Sequence, residues 1–465
     1  MLLLLSLAIV FTKAIALPPP PASCAGTINS RPLTDGDAAP IVNTTSNGST
    51  KRVISANLTA PLLLLHVYGG VYEMNFAVGE LLSEEIAAAV PAALAYLYAQ
   101  VNASYNLSWL PEPVRDWVVE YGVETALDWT ANATAPYTPS HWVDALRGLA
   151  DGSGSSIVDL RRVAMIAEWT RAQCSMLGAW GAASFTGFLT QLRALDWDTD
   201  GPFQQWPTLI VYHPDAASGG VPNAVLGWAG MLGAITGVSS AGVGISEKVW
   251  DAYQGSWNAF GYSWNYLLAD ALMFDKDTDQ VLSRIATANR TCAIWIGVGD
   301  AHGNGGGGSF KAVAYSSQLV SIFNDVNYPS YVRILPRENL DDPRLRRHPS
   351  RTPPPPCTPN QQPNHDLFKN LVFINKHVQP SSEPCMNDLL HSIYSSVTGL
   401  ATLQYVTALE QTGDMHIMVI DFGADKVYVA NASPDGTELA YDATFVEFTM
   451  SALWAEPARV ALGDL

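Results

Sequence analysis

The chain has 465 residues, a formal charge of −18, 48 % hydrophobic residues and 15 % charged ones. Such an acidic balance excludes nucleic acid as a partner, because that needs a basic face, while the apolar content is ample for a substantial core. Five cysteines in a chain this long exclude a disulfide-dense scaffold, and the length allows one large domain or two to three ordinary ones.

Residues 1–16 come first. Leu2 to Phe11 is an apolar run too short to span a bilayer, and Ala14-Ile15-Ala16 is a small-x-small cleavage signature. The spacing predicts a signal peptide over 1–16, with a retained membrane anchor as the alternative. Residues 17–60 are rich in Pro, Ser, Thr and Asn and predict an extended, glycosylated lead-in. Sequons of the N-x-S/T type stand at Asn43, Asn47, Asn57, Asn102, Asn106, Asn132, Asn289 and Asn431. Together these features point to the secretory pathway, with a lysosomal or extracellular destination. An acidic protein also suits low pH, where partly neutralised carboxylates repel one another less.

Residues 61–173 form the next block, and its texture is helical. "ELLSEEIAAAVPAALAYLYAQV", starting near Gly79, is amphipathic, with Pro91 as a kink or boundary. "PEPVRDWVVEYGVETAL" and "TPSHWVDALRGLADG" follow in the same style, and Thr138 or Ser140 is placed to cap the second. The block ends on "DGSGSS".

At Cys174 the texture changes, and 174–465 reads as a separate unit. "CSMLGAW" and "GFLTQLRALDW" predict two strands joined by a small-residue turn. Strand-like runs recur at "TLIVYH", "TCAIWIGVG", "NLVFINKHV", "MHIMVIDF" and "KVYVANA", the last two forming a hairpin. The uncharged stretch Val225 to Ile245 is long enough for a membrane span, but its Gly, Ser and β-branched content predicts paired buried strands instead. "WNYLLADALMF" and "MNDLLHSIYSSVTGLATLQYVTALEQT" predict helices, and Arg337 to Pro363 a polar, Pro-rich loop. Helical blocks flanked by strands predict a layered α+β fold, not a Rossmann fold.

Cys174 raises the functional question. An isolated cysteine is most simply a buried thiol or half a disulfide. Setting it aside leaves Cys24, Cys292, Cys357 and Cys385, which allow two bridges in three connectivities. Its position at the helix-to-strand change suggests more. If the Gln173–Cys174 bond is cut, Cys174 carries both a thiol and a free α-amine, and the amine serves as base for its own side chain. A cation lowers a thiol pKa further. Arg193, on the partner strand, is the candidate cation, and Asp196 the candidate acceptor for the α-ammonium.

Other signals carry less. "GVGDAHGNGGGGSF" lacks the Lys-Ser/Thr of a P-loop and reads as a hairpin tip. The histidines are scattered without an H-x-x-x-H pair, so no metal and no cofactor is expected. "GVSSAG" misses the nucleophile-elbow spacing. Trp180, Trp197, Trp206 and Trp228 surround the cysteine motif and suit core packing or the lining of an acyl pocket.

"CSMLGAWG" and "LRALDWD" resemble the cysteine N-terminal-nucleophile hydrolases related to acid ceramidase, N-acylethanolamine acid amidase and isopenicillin-N acyltransferase. "YEMNFAVGELLSEEI", "PYTPSHWVDALRGLADG", "VLGWAGMLGAITGVSSAGVGISE", "TCAIWIGVGD" and "QTGDMHIMVID" extend the resemblance over most of the chain after residue 65. It implies a four-layer αββα sandwich of two antiparallel sheets behind a mostly helical N-terminal segment. It also implies self-cleavage before Cys174, with Arg193 and Asp196 lining the site. The loop between Cys174 and Arg193 is longer than in ceramidase. Asn375, in "LVFINKHVQPS", is the candidate oxyanion donor or else a turn-forming Asn at a strand end. Glu247, in "GISEK", either matches an acidic site residue of the family or lies at the surface.

The resulting expectation is an autoprocessed amidohydrolase of linear amides, with a lipid amide such as ceramide or an N-acylethanolamine favoured. Its partners would be that small-molecule or lipid substrate, a transient membrane surface, and its own N-terminal chain, 61–173, bound to the catalytic chain, 174–465. Acyl transfer, ester hydrolysis on the same fold, and a catalytically silent secreted glycoprotein are the alternatives.

Overall fold

The computed structural model describes residues 17–54, 61–103, 112–169, 173–251, 253, 255, 257–327, 365–379 and 381–459. The expected signal peptide, Asn57, Asn106, Arg171, Cys357 and the Arg337–Pro363 loop lie outside the described residues.

Seventeen strands are present among them: β1 Thr34–Asp35, β2 Ile41–Thr44, β3 Thr50–Ile54, β4 Leu62–Gly69, β5 Gln173–Ala179, β6 Thr190–Asp196, β7 Pro207–Pro214, β8 Asn223–Trp228, β9 Thr236–Ser239, β10 Val243–Val249, β11 Ala293–Asp300, β12 Ser309–Ser316, β13 Val320–Phe323, β14 Leu371–Ile374, β15 His416–Asp421, β16 Lys426–Asn431 and β17 Val446–Thr449. They form a seven-stranded sheet in the order β1-β17-β16-β15-β6-β5-β14 and a ten-stranded sheet in the order β13-β12-β11-β10-β9-β8-β7-β4-β3-β2. Both sheets are antiparallel apart from one parallel pair each, β1 with β17 and β4 with β7.

The sheets pack face to face. Met176 and Val372 of the smaller sheet meet Trp295 and Phe310 of the larger one in one cluster, and Met418 meets Leu64 and Leu209 in another. Gly178 on β5 permits this approach, since a Cβ there would lie 2.0 Å from Phe310 Cγ. Helices cover both outer faces. The helix Cys385–Ile393 and the helical segment 399–410 cover Leu177, Leu192 and Phe373. The larger sheet is covered by α1 Val71–Leu81, α2 Ser83–Ala103, α3 Glu112–Tyr121, α4 Val123–Thr134, α5 Ser140–Ser153, α6 Ile157–Trp169, α7 Trp264–Phe274 and α8 Thr278–Thr287. This is the expected α+β sandwich of four layers, αββα, and burial on both faces explains the continuous apolar runs of its strands.

Several local expectations shift. The first long helix breaks at Leu82, where α1 and α2 meet at 89°, and not at Pro91. Pro91 is exposed, as is Ala87, whose carbonyl loses its helical donor but faces solvent. Neither Thr138 nor Ser140 caps α5; Pro139 holds the cap position, and Thr138 Oγ1 donates back to Thr134 O at 3.0 Å. Beyond "DGSGSS" a further helix, α6, leads to Cys174. The helix expected after Met386 is divided, with Ser395 at φ 67° between its halves. The charge-free stretch 225–245 forms β8, β9 and β10, paired antiparallel, and among the described residues no single helix is long and apolar enough to cross a membrane.

The extended lead-in is woven into both sheets: β1 lies at the edge of the smaller, β2 and β3 at the edge of the larger. Cys24 is bridged to Cys385. Of the six described sequon asparagines, Asn43, Asn47, Asn102, Asn132 and Asn289 are exposed, while Asn431 is buried in β16.

Candidate active site

The site begins with the β5–β6 ladder. Cys174 pairs with Leu195 and Met176 with Arg193. Side chains alternate along a strand, so these four share the face that looks onto the larger sheet. Gln173 pairs with Asp196, and both share the opposite face with Ser175 and Ala194. The strand entered from α6 thus places the thiol between the sheets, with the Gln173–Cys174 peptide bond beside Asp196.

Arg193 is 1 % exposed and is the hub of the site. Its Nη2 lies 3.4 Å from Cys174 Sγ and 3.3 Å from Glu247 Oε2. Its Nε donates to the Glu247 carbonyl at 3.2 Å, and its Nη1 donates to His416 Nε2 at 2.7 Å. A guanidinium presents several donors in a fixed fork, which is what four acceptor atoms on three residues require. Burial pushes the Cys174 thiol up to about 12, with Arg193 the largest opposing influence, so the thiol is protonated while residue 173 is attached. Burial also pushes the Glu247 carboxyl up to about 7 in spite of Arg193. Burial and then Arg193 hold His416 well below the usual imidazole range, consistent with a neutral ring accepting from Arg193.

Asp196 is held on the other face of the sheet. Its Oδ1 accepts from Gly413 N at 2.7 Å and its Oδ2 from Thr412 Oγ1 at 2.7 Å. Thr412 Oγ1 also lies 2.7 Å from Ser175 Oγ. A carboxylate only accepts, so the Thr412 proton goes to Asp196 and Ser175 donates to Thr412. Gly413 has φ 95°, and a Cβ there would lie 2.2 Å from Ile417 Cγ1. Burial, then Asp414, pushes the Asp196 carboxyl up to about 6.

Asn375 follows β14, whose Ile374 pairs with Met176, so it stands beside the start of β5. Its Nδ2 donates to Ser381 Oγ at 3.2 Å and its Oδ1 accepts from Gln379 Nε2 at 2.7 Å. One Nδ2 hydrogen is therefore engaged in the local turn and one remains. Next to it Lys248, 1 % exposed, donates from Nζ to Lys376 O at 2.9 Å, and burial lowers its pKa.

A cavity of about 610 Å³, mouth included, opens beside Arg193, Leu195 and Glu247. Its remaining walls are mostly apolar and include Trp197, Phe203 and Trp228, together with Val163, Ala164 and Ala167 of α6. Cys174 itself has no exposed surface. Three bonds fix α6 in place: Glu168 Oε1 accepts from Ser263 Oγ at 2.7 Å, Trp264 Nε1 donates to Ala167 O at 3.1 Å, and Asn265 Nδ2 donates to Ala164 O at 3.4 Å. Trp197 and Trp228 thus line the cavity, Trp206 packs on the same core, and Trp180 belongs to the cluster between the sheets.

The structure brings Cys174 and Arg193 into contact, places Asp196 across from Gln173, and sets Asn375 at the neighbouring strand end. Glu247, for which the surface was the leading reading, is buried on Arg193. His416 carries no signal in the sequence beyond membership of a strand. Among the described residues no group of three or more His, Cys, Asp or Glu is placed to hold a metal ion.

No family model matches the chain. It is 34 % identical over 408 residues to protein dcd1B of Dictyostelium discoideum, covering 84 % of this chain and 75 % of that protein. It is 33 % identical over 422 residues to protein dcd1A of the same organism, covering 89 % and 88 %. Similar solved structures include penicillin V acylase from Agrobacterium tumefaciens, at 12 % identity, 56 % and 83 % coverage and a TM-score of 0.30. A mutant conjugated bile acid hydrolase from Clostridium perfringens matches at 10 % identity, 61 % and 95 % coverage and 0.33. The Caenorhabditis elegans ortholog of N-acylethanolamine-hydrolyzing acid amidase matches at 14 % identity, 32 % and 64 % coverage and 0.25.

Proposed function

The chain belongs to the family of the Dictyostelium discoideum proteins dcd1B and dcd1A, and from that premise we propose that it is a self-cleaving cysteine amidohydrolase of linear N-acyl amides. The observation that carries this reading is the thiol of Cys174 beside the Arg193 guanidinium, at the start of β5 and next to a largely apolar cavity.

In the first reaction the Cys174 sulfur attacks the Gln173 carbonyl carbon. The C–N bond breaks, the nitrogen takes a proton, and residue 173 becomes a thioester on the sulfur. Water then attacks the thioester and releases the Gln173 carboxylate, leaving a free α-amine and thiol on Cys174. An unperturbed α-amine titrates near 7.7–8.0, so it can accept the thiol proton. Asp196, across the ladder from residue 173, accepts from the resulting ammonium, and Arg193 stabilises the thiolate.

In turnover the thiolate attacks the substrate carbonyl. The remaining Asn375 amide hydrogen is the proposed donor to the developing oxyanion. The amine leaves with a proton from the Cys174 ammonium, and water hydrolyses the acyl-thioester to the free acid. The cavity suits an acyl chain, which favours lipid amides such as ceramide or an N-acylethanolamine. The five exposed sequons and the Cys24–Cys385 bridge support a secreted or lysosomal setting, since disulfides persist in oxidising compartments.

The test is release of free acid from a panel of N-acyl amides by wild type and Cys174→Ala. The expected result is turnover by the wild type that falls at least about 1,000-fold in the variant. Equal turnover by the two would overturn the assignment of the nucleophile.

A further inference from the structure

A second, smaller pocket of about 250 Å³, mouth included, adjoins the first. Ala89, Val90 and Ala93 of α2 form one wall, and all of its lining residues are Ala, Val, Pro, Phe or Trp. The two spaces share three residues, Val163, Phe203 and Trp228. Val163 belongs to α6 and Trp228 ends β8, so both are held by regular elements. Phe203 instead starts a single turn, Phe203–Gln205, after Gly201 and Pro202. Its ring stacks on Trp197 at 4.4 Å, packs against Trp228 at 4.8 Å and meets Tyr96 edge-on at 5.8 Å.

We propose that Phe203 is the partition that sets how long an acyl chain the site accepts. Arg193 and Glu247 line the first cavity, where the amide would sit, and Phe203 lines it as well. The smaller space has the apolar lining of a hydrocarbon site and shares Phe203 with the first. A saturated chain that stops at Phe203 fits the first cavity alone; a longer one must displace the ring or fold back. Each methylene a hydrophobic pocket admits or refuses changes kcat/KM by about tenfold or more. Two of the three shared residues, Phe203 and Trp228, lie after the scissile bond and Val163 before it, so the partition spans both products of the cut. The inference rests on the amidase reading of Cys174 for its substrate, but the partition itself is a property of the two cavities.

The experiment measures kcat/KM for N-acyl amides with saturated chains of increasing length, in wild type, Phe203→Ala and Phe203→Ala/Ala93→Phe. Binding of the free fatty acids of the same lengths is measured in parallel by calorimetry, with cleavage and melting temperature recorded for each protein. Phe203→Ala should move the optimum to longer chains, raising the long-to-short ratio at least about tenfold, and Ala93→Phe should refill the smaller space and restore the original profile. Should Phe203→Ala fail to fold, Phe203→Leu makes a smaller opening and predicts a smaller shift of the same sign. An unchanged length profile in a folded, cleaved variant overturns the partition. If no amide is hydrolysed but the fatty-acid cut-off still moves, the amidase reading falls and the partition stands.

Discussion

The residues before Cys174 and those after it do different work in the same body. Among the described residues, Arg193 and the side chains it bonds in the thiol network, Cys174, Glu247 and His416, all belong to the later segment. The earlier segment supplies none of these, yet it builds one wall of the cavity through α6, and places β4 between β7 and β3 of the larger sheet. A cut at 173–174 would therefore break the backbone between catalyst and container without parting them. Strand pairing, the Glu168 anchor and the Cys24–Cys385 bridge all cross that cut.

That contrast is sharpened most by a change on the catalytic side. Arg193→Lys keeps a cation but loses the fork that serves the thiol, Glu247 and His416 together. It should lower kcat/KM about 100-fold, mainly through kcat, because the missing interactions belong to the thiolate. An effect confined to KM would mean that Arg193 only lines the cavity. The matching change on the container side is Ala164→Trp, which fills the space beside α6. Here KM for a long-chain amide should rise about tenfold while cleavage at 173–174 stays normal. A pure kcat defect from Ala164→Trp would erase the division between the two segments.

Replacing both Cys24 and Cys385 by Ser removes the covalent tether. The two chains of the cut protein should then separate on a non-reducing denaturing gel, where the wild type keeps them together. Chemical denaturation should show a loss of about 2–4 kcal/mol, with activity at low temperature retained because the strand pairing remains. Loss of the earlier chain under native conditions would show that the bridge, not the sheet, holds the container.

The smallest effect concerns pH. Burial pushes Glu410 up to about 8 from its usual 4.5. The folded protein keeps this proton where the unfolded chain has lost it. The resulting stability is full below about 4.5 and is lost as pH rises towards 8. Glu410→Gln has no proton to lose, so its stability relative to wild type should rise by on the order of 1 kcal/mol between pH 5 and pH 8. The histidines that burial depresses, His66, His213, His365, His377 and His416, act with the opposite sign and below pH 6.5, so the difference between variant and wild type isolates the carboxyl.

How much of this was legible in the sequence follows from distance along the chain. Cys174, Arg193 and Asp196 lie on one hairpin, so their juxtaposition follows from strand pattern and a short turn. The layered α+β class follows from runs such as "TLIVYH" and "MHIMVIDF" set between helical blocks, while the αββα order came from the family resemblance. Glu247 and His416 reach Arg193 from β10 and β15, whose register with β6 no local pattern encodes. Glu247 is followed by Lys248, and two adjacent charges read as surface; in the sandwich both are buried, one turned to Arg193 and the other to Lys376 O. Asn375 was placed at a strand end by pattern, but its bonds to Ser381 and Gln379 depend on a turn that pattern does not specify. The cavity wall from α6 was illegible for the same reason, since its apolar face is indistinguishable from any core-facing helix.

The account turns on residue 174 acquiring a free α-amine. Intact-mass analysis of catalytically active protein, under reducing and denaturing conditions, tests this directly. The account predicts a chain that begins at Cys174, with a separate chain ending at Gln173. Full activity in a preparation whose Gln173–Cys174 bond is intact would contradict it.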